Sequence, residues 1–230
     1  MAIDYTKRPK SLSPPAARDQ GAPVQLSKVT LTKAAPVVSL TKQGSTNGVL
    51  RVNLNWNARP AGRSGGIFGQ RTASPIDLDL GCLYEFTDGS KGVVQALGRA
   101  FDARPHSVRE RVIWLDGDDR SGANNAGENL FINLAYAAQI RRILVFAFIY
   151  DGIPNWAAAD GVVTLYAASG QQVEVRLDEA RDGARICAIA MLESANGDLS
   201  VRREVRYVDG GQSHLDRAYG WGMNWKPGRK

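Results

Sequence analysis

Apolar and polar positions alternate along much of this chain, in short runs broken by glycine, asparagine and serine. Residues 24–33 (VQLSKVTLTK) and 37–42 alternate with β-branched side chains, the pattern of strands that bury one face. Both runs end in Leu-Thr-Lys, and they are predicted to be consecutive edge strands forming a hairpin. Leu50, Val52, Leu54 and Trp56 share one face of a third strand. Further strands are predicted at 76–86, 93–97, 112–115 and 129–134, with 142–150 as a central strand. Ser169-Gly170 and Asn196-Gly-Asp198 read as turns between the pairs 162–167/172–177 and 185–193/199–208. Helical signal is confined to single turns at 134–139 and 215–219. Many short strands at modest spacing predict an all-β fold, a β-sandwich of two mainly antiparallel sheets with few short helices.

The chain is 230 residues long and 43% hydrophobic, enough for one domain with a sizeable core, predicted over 24–230. Residues 1–23 hold Pro9, Pro14, Pro15 and Pro23 among serines and charges, and read as a disordered leader. The longest apolar run, 143–150, suits a buried strand and is too short to span a bilayer. With no apolar targeting segment behind the N-terminus, a soluble cytoplasmic protein is expected. Through residue 42, seven Lys and Arg stand against two Asp, which places +5 of the net charge of +6 in the leading segment. Such an arm can bind nucleic acid or an anionic membrane surface, but solvated tails are commonly basic for neither reason, and no nucleic-acid partner is expected.

Candidate chemistry is concentrated in acidic residues. Cys82 and Cys187 stand far apart in apolar runs and are expected to be buried thiols. His106 and His214 are isolated, which argues against a transition-metal site. In contrast, Asp77-Leu-Asp79 places two carboxylates on one strand face, with Leu78 and Leu80 toward the core. Asp116-Gly-Asp-Asp-Arg-Ser-Gly-Ala-Asn-Asn-Ala-Gly-Glu128 adds Asp118, Asp119 and Glu128, with Asp116 a further carboxylate and the amides of Asn124 and Asn125 nearby. Hard cations such as Ca²⁺ take about six to eight oxygens on a turn flexible enough to wrap them. The loop is no EF-hand: Arg120 stands where an oxygen is needed, the span is too long, and strands flank it.

Asp77-Leu-Asp-Leu-Gly81, Leu115-Asp-Gly-Asp-Asp-Arg-Ser-Gly122 and Gly127-Glu-Asn-Leu-Phe-Ile-Asn-Leu134 resemble the tellurite-resistance TerD family. Val52-Asn-Leu-Asn-Trp-Asn57 resembles that family's Gly-Trp-Asp strand, and the Leu-Thr-Lys echoes its N-terminal strands. Gly92-Val-Val-Gln-Ala-Leu-Gly98 and the ending from Tyr219 to Lys230 look closer to its TerA branch. The resemblance implies a calcium-binding sandwich acting in bacterial stress and tellurite resistance. Its implied ligands are Asp77, Asp79, Asp118, Asp119 and Glu128, with loop oxygens near Asn124 and Asn125. Asn57 stands where the family has aspartate, Pro75 where another aspartate is common, and the late acidic cluster is reduced to Glu128. One strong Ca²⁺ site is therefore expected, with a second that is weaker or absent.

Three functional classes compete. A metal-dependent hydrolase would need a nucleophile or base beside an open metal position, and no Ser-His pairing or phosphate cradle accompanies the carboxylates. A carbohydrate-binding module would stack sugars on Trp56, Trp156, Trp221 or Trp225, although tryptophan in an alternating strand usually packs the core. The favoured reading is non-enzymatic: Ca²⁺ orders the acidic loops, and the ordered surface recruits other proteins of a stress-response complex.

Overall fold

The computed structural model describes residues 27–42, 44, 47–57, 76–116, 127–152, 154–177, 179, 181, 183–195 and 198–226. Thirteen strands lie in these segments. They are β1 (Lys28–Thr30), β2 (Val37–Ser39), β3 (Val49–Asn55), β4 (Asp77–Phe86), β5 (Lys91–Gln95), β6 (Asp102–Ala103) and β7 (Ile113–Leu115). Then come β8 (Glu128–Asn133), β9 (Ile140–Asp151), β10 (Gly161–Tyr166), β11 (Gln172–Leu177), β12 (Ile186–Ala195) and β13 (Asp198–Val208). Helices are α1 (Trp156–Ala159) and α2 (Gln212–Tyr219), with 3-10 turns at Leu97–Arg99 and Leu134–Gln139.

Alternation sorts these strands into two layers. A seven-stranded sheet runs β1-β11-β10-β3-β8-β7-β6, and a six-stranded sheet runs β2-β13-β12-β9-β4-β5. Every pairing is antiparallel except β1 with β11. Leu50, Val52 and Leu54 of β3 share one buried cluster with Leu78, Leu80 and Cys82 of β4 and with Ile143, Val145 and Ala147 of β9. The alternate residues of the six-stranded sheet, Leu83, Leu144, Phe146 and Ile186, form a second cluster roofed by Leu215 and Trp221. Full burial of a side chain of this size contributes about 1.5–3 kcal/mol, so the outer face needs that roof. Burial on both faces explains why β9 reads as an unbroken apolar run.

The roof is fastened by charge. The Arg142 guanidinium lies 3.8 Å from the centre of the Trp221 ring. Its Nε donates to Glu85 at 2.7 Å and its Nη1 to the Tyr219 carbonyl at 3.2 Å. Asp216, 3% exposed, accepts from the Gly222 and Met223 N–H groups and from Trp225 Nε1, all at 2.8–2.9 Å.

The predicted hairpin of the two Leu-Thr-Lys strands is not formed. β1 pairs with β11 at the edge of one sheet, and β2 with β13 at the edge of the other. Residues 31–36 clasp the two sheets, with Leu31 and Leu40 buried on either side of the crossing. Alternation fixes which face a strand buries but not its partner, which is why the echo misled. The strand predicted at 93–97 ends at Gln95, where the chain turns into 3-10 geometry. Residues 24–26 and the leader 1–23 lie outside the described residues.

A bulge interrupts the β12–β13 pairing between Ala188 and Ala190. Beside it Val205, buried, takes φ +40°, a conformation costly for a β-branched residue.

Candidate functional site

Strand register brings the acidic segments to one end of the sandwich. Leu54 pairs with Glu128, so the end of β3 meets the start of β8, and Asp77 at the start of β4 pairs with Asp151 at the end of β9. Two chain segments outside the described residues, 58–75 and 117–126, depart from and return to this same end.

Both excursions have closed necks. At the first, Trp56 Nε1 donates to the Ile76 carbonyl at 2.9 Å, and the Asn57 N–H donates to the Ala159 carbonyl at 2.7 Å. At the second, the Asp116 carboxylate accepts from Asn129 Nδ2 at 2.8 Å and from the Asn129 N–H at 3.3 Å. Asn129 Oδ1 in turn accepts from Asn53 Nδ2 at 2.9 Å. Gly127 at φ +66° completes this neck, because a Cβ there would fall 2.1 Å from the Leu54 carbonyl oxygen.

Between the necks lie the described carboxylates. Asp79 is 5% exposed and Glu128 3% exposed, while Asp77 is half-buried. Leu78 and Leu80 belong to the inter-sheet core, so Asp79 occupies the opposite face of β4, and the pairing with β9 shifts register between Asp77 and Leu78. Glu128 reaches across the sheets: its Oε2 accepts from the backbone N–H of Leu80 at 2.5 Å. The carboxylate of one predicted segment thus touches the strand that carries the other, one residue from Asp79. Burying carboxylates is costly unless charge or hydrogen bonds compensate. Such oxygen donors suit a hard cation. Asn57 is exposed at the edge of the same end.

Asp118, Asp119, Asn124 and Asn125 lie outside the described residues. Among the described residues, no group of three or more His, Cys, Asp or Glu side chains could hold a metal ion.

Asp116 is committed to hydrogen bonding at the neck. Asn53 and Asn129, which hold that neck, escaped sequence reasoning, although alternation had placed Asn53 opposite the buried face of β3. Cys82 and Cys187 are free and buried, and burial pushes both thiols far above their ordinary range, which keeps them protonated. Three of the four tryptophans considered for sugar stacking, Trp56, Trp156 and Trp221, are buried, and Trp225 Nε1 is bound to Asp216. They pack and fasten the fold; none of those three offers a face to a sugar.

No family model matches the chain. Over 230 residues it is 44% identical to tellurium resistance protein TerA of an Alcaligenes species, an alignment covering 99% of this chain and 66% of the relative. Over 140 residues it is 31% identical to tellurium resistance protein TerX of Serratia marcescens, covering 54% of this chain and 63% of that one. The chain spans just under two thirds of the length of the curated relatives it matches. A crystal structure of a protein of unknown function superposes with a TM-score of 0.54 at 15% identity, covering 76% of this chain and 98% of that one. That likeness concerns the fold alone. Among the described residues, no helix is long and apolar enough to cross a membrane.

Proposed function

This chain belongs to the tellurium-resistance family of Ter proteins, and from that premise we propose that it serves tellurite resistance as a non-catalytic, calcium-binding module. The observation that carries the calcium reading is the contact of Glu128 with the backbone of β4 beside Asp79, which sets the two acidic segments side by side at one end of the sandwich. Asp77, Asp79 and Glu128 would supply carboxylate oxygens from the strand ends. Asp118, Asp119, Asn124 and Asn125 would add oxygens from the loop, and Asn57 a neutral one from the rim. Ca²⁺ there would neutralise crowded carboxylates and order the loops between the closed necks.

The chain's own part in this is positioning. Trp56 and Asp116 hold the necks, Gly127 admits the close approach to Leu54, and the Leu80 N–H orients Glu128. The ordered loops would then present a surface to partner proteins of a stress response, with Ca²⁺ shifting the population toward the docking-competent form. Protonated, buried thiols favour a binding role over reduction of the tellurium oxyanion.

Calorimetric titration of chelator-stripped protein with Ca²⁺, repeated with Mg²⁺, tests this. The expected result is one strong Ca²⁺ site, a second that is weaker or absent, and little response to Mg²⁺. No saturable Ca²⁺ heat overturns the calcium reading. Tellurite survival of cells complemented with wild type or Asp79→Ala tests the link to resistance. Equal survival would separate the metal from the phenotype.

A further inference from the structure

The two sheets are finished differently on their outer faces. The six-stranded sheet is roofed by α2 and the segment after it, with a cavity of about 620 Å³ between β5 and the start of α2. No described α-helix covers the outer face of the seven-stranded sheet.

Register sets one row of side chains across that open face. Gln172, Tyr166, Arg51, Phe131, Trp114 and Asp102 are successive Cα partners from β11 to β6. Their neighbours along the strands, among them Leu50, Leu165, Ile132 and Ile113, belong to the inter-sheet core, so the row points outward. Val49, 39% exposed, stands on the same face of β3, two residues before Arg51.

Within the row, guanidinium groups and rings are stacked. Trp114 and Phe131 lie 17° from parallel with ring centres 5.4 Å apart. Arg111 lies 5.3 Å from the centre of the Trp114 ring and Arg51 4.2 Å from that of Tyr166. Stacking occupies the plane of a guanidinium and leaves its N–H edge as a fork of donors. One of these, Arg51 Nη1, reaches Asn129 Oδ1 at 3.4 Å. Nearby carboxylates are engaged elsewhere or lie at the rim. Glu174 pairs with Lys28 and Arg176, Asp116 with Asn129, and Glu110 accepts from the Tyr136 hydroxyl, while Asp102 is exposed on β6. Neither Arg51 nor Arg111 forms an ion pair among the described residues.

What is left open selects the occupant. Bases and sugars need free ring faces, and here rings and guanidinium groups already cover one another. Two unpaired cations are also few for a nucleic-acid backbone, which takes on the order of 6–10 phosphate contacts. A second copy turned about the centre of the sheet would set Arg51 against Arg51, because β3 is the middle strand. Carboxylates, in contrast, match the guanidinium fork, and Trp, Tyr, Phe and Arg are the side chains enriched in protein–protein contacts. Seven strands about 4.8 Å apart and about 20 Å long present roughly 600 Å², close to the roughly 800 Å² that each partner of a stable complex contributes.

We propose that the outer face of the seven-stranded sheet docks a protein partner whose contact patch sets carboxylates around apolar side chains. The carboxylates take the open edges of Arg51 and Arg111, and the apolar groups lie against Val49, Phe131 and Trp114. None of Asp77, Asp79 and Glu128 takes part, so this surface stands apart from the calcium reading.

The probe is a fluorescent helical peptide with a leucine stripe flanked by glutamates, read by anisotropy beside a counterpart with glutamine in place of glutamate. Wild type is expected to bind the glutamate peptide saturably and the glutamine peptide about tenfold or more weakly. Arg51→Gln and Arg111→Gln should each weaken the glutamate peptide about tenfold, with melting temperatures close to that of wild type. Arg217 is exposed on α2, beside the other sheet. Arg217→Gln removes the same charge there and should bind as wild type does. The proposal is overturned if wild type shows no saturable binding, if the glutamine peptide binds as tightly, or if Arg217→Gln weakens binding as much as Arg111→Gln. It is overturned equally by another occupant: a single-stranded oligodeoxythymidylate that displaces the peptide at equal concentration, or self-association in sedimentation that Trp114→Ser abolishes.

Discussion

The acidic end of the sandwich and the cavity beside α2 differ in their polar inventory. One gathers carboxylate oxygens at strand ends: Asp79 and Glu128 buried, Asp77 half-buried. The other is lined by Gln95, Gln212, Ser213, Met223, Trp225 and Lys226, with the Asp216 carboxylate behind Met223 and Trp225. Asp216 lies between these cases. It is a buried carboxylate whose three donors all come from the segment it fastens, so its charge is balanced within the chain. The contrast teaches that a buried charge says little until its complement is counted. Donors converging on one carboxylate, as at Asp216, build structure.

The largest expected effect tests the acidic end. Glu128→Gln keeps an acceptor for the Leu80 N–H and removes the charge. Ca²⁺ affinity should fall about a hundredfold or more with only a small loss of stability. Calorimetry with urea denaturation separates the two, and unchanged Ca²⁺ affinity would remove Glu128 from the shell. Next comes Asp216→Ala. It strips three N–H groups of a charged acceptor and should cost about 3 kcal/mol. It should also release Met223 and Trp225 while Ca²⁺ affinity stays as in wild type. Loss of Ca²⁺ affinity as well would show that the roof and the acidic end are one cooperative unit.

Smallest is the effect of Asp88, an exposed carboxylate in the β4–β5 turn. Hydrogen bonds from the Ser90 hydroxyl, the His106 N–H and the Ser90 N–H hold it well below the usual carboxylate range. A carboxyl group depressed by folding stabilises at neutral pH, and its contribution is lost as pH falls through its folded value. Asp88→Asn should therefore flatten the fall of stability below a pH of about 4. An identical acid limb in wild type and variant would deny Asp88 that role.

Much of the fold was legible because alternation is a local property. Leu50, Val52, Leu54 and Trp56 are all buried, as the pattern of β3 requires, and β12 and β13 pair antiparallel with Ala195 opposite Asp198, while residues 196 and 197 of the predicted turn lie outside the described residues. The separation of β1 from β2 was not legible, because partner choice depends on strands far along the chain. At the acidic end, the sequence pointed to Asp77, Asp79 and Glu128 but not to Asn129, whose role arises only when register sets it against Asp116 and Asn53. The cavity had no signature at all. Gln95 and Gly211 mean nothing singly and meet only through the packing of α2 over β5.

The clasp from β1 to β2 also sets a schedule. β1 must find residues 172–174 and β2 residues 200–202, both far downstream. On a ribosome adding about 5–20 residues per second, these strands wait on the order of ten seconds for partners that do not yet exist. Through that interval both sheets lack a border, and the nascent chain carries β-prone segments that a neighbouring chain could pair with instead. The time taken to translate the second half of the protein thus becomes a variable in whether the first half is closed correctly.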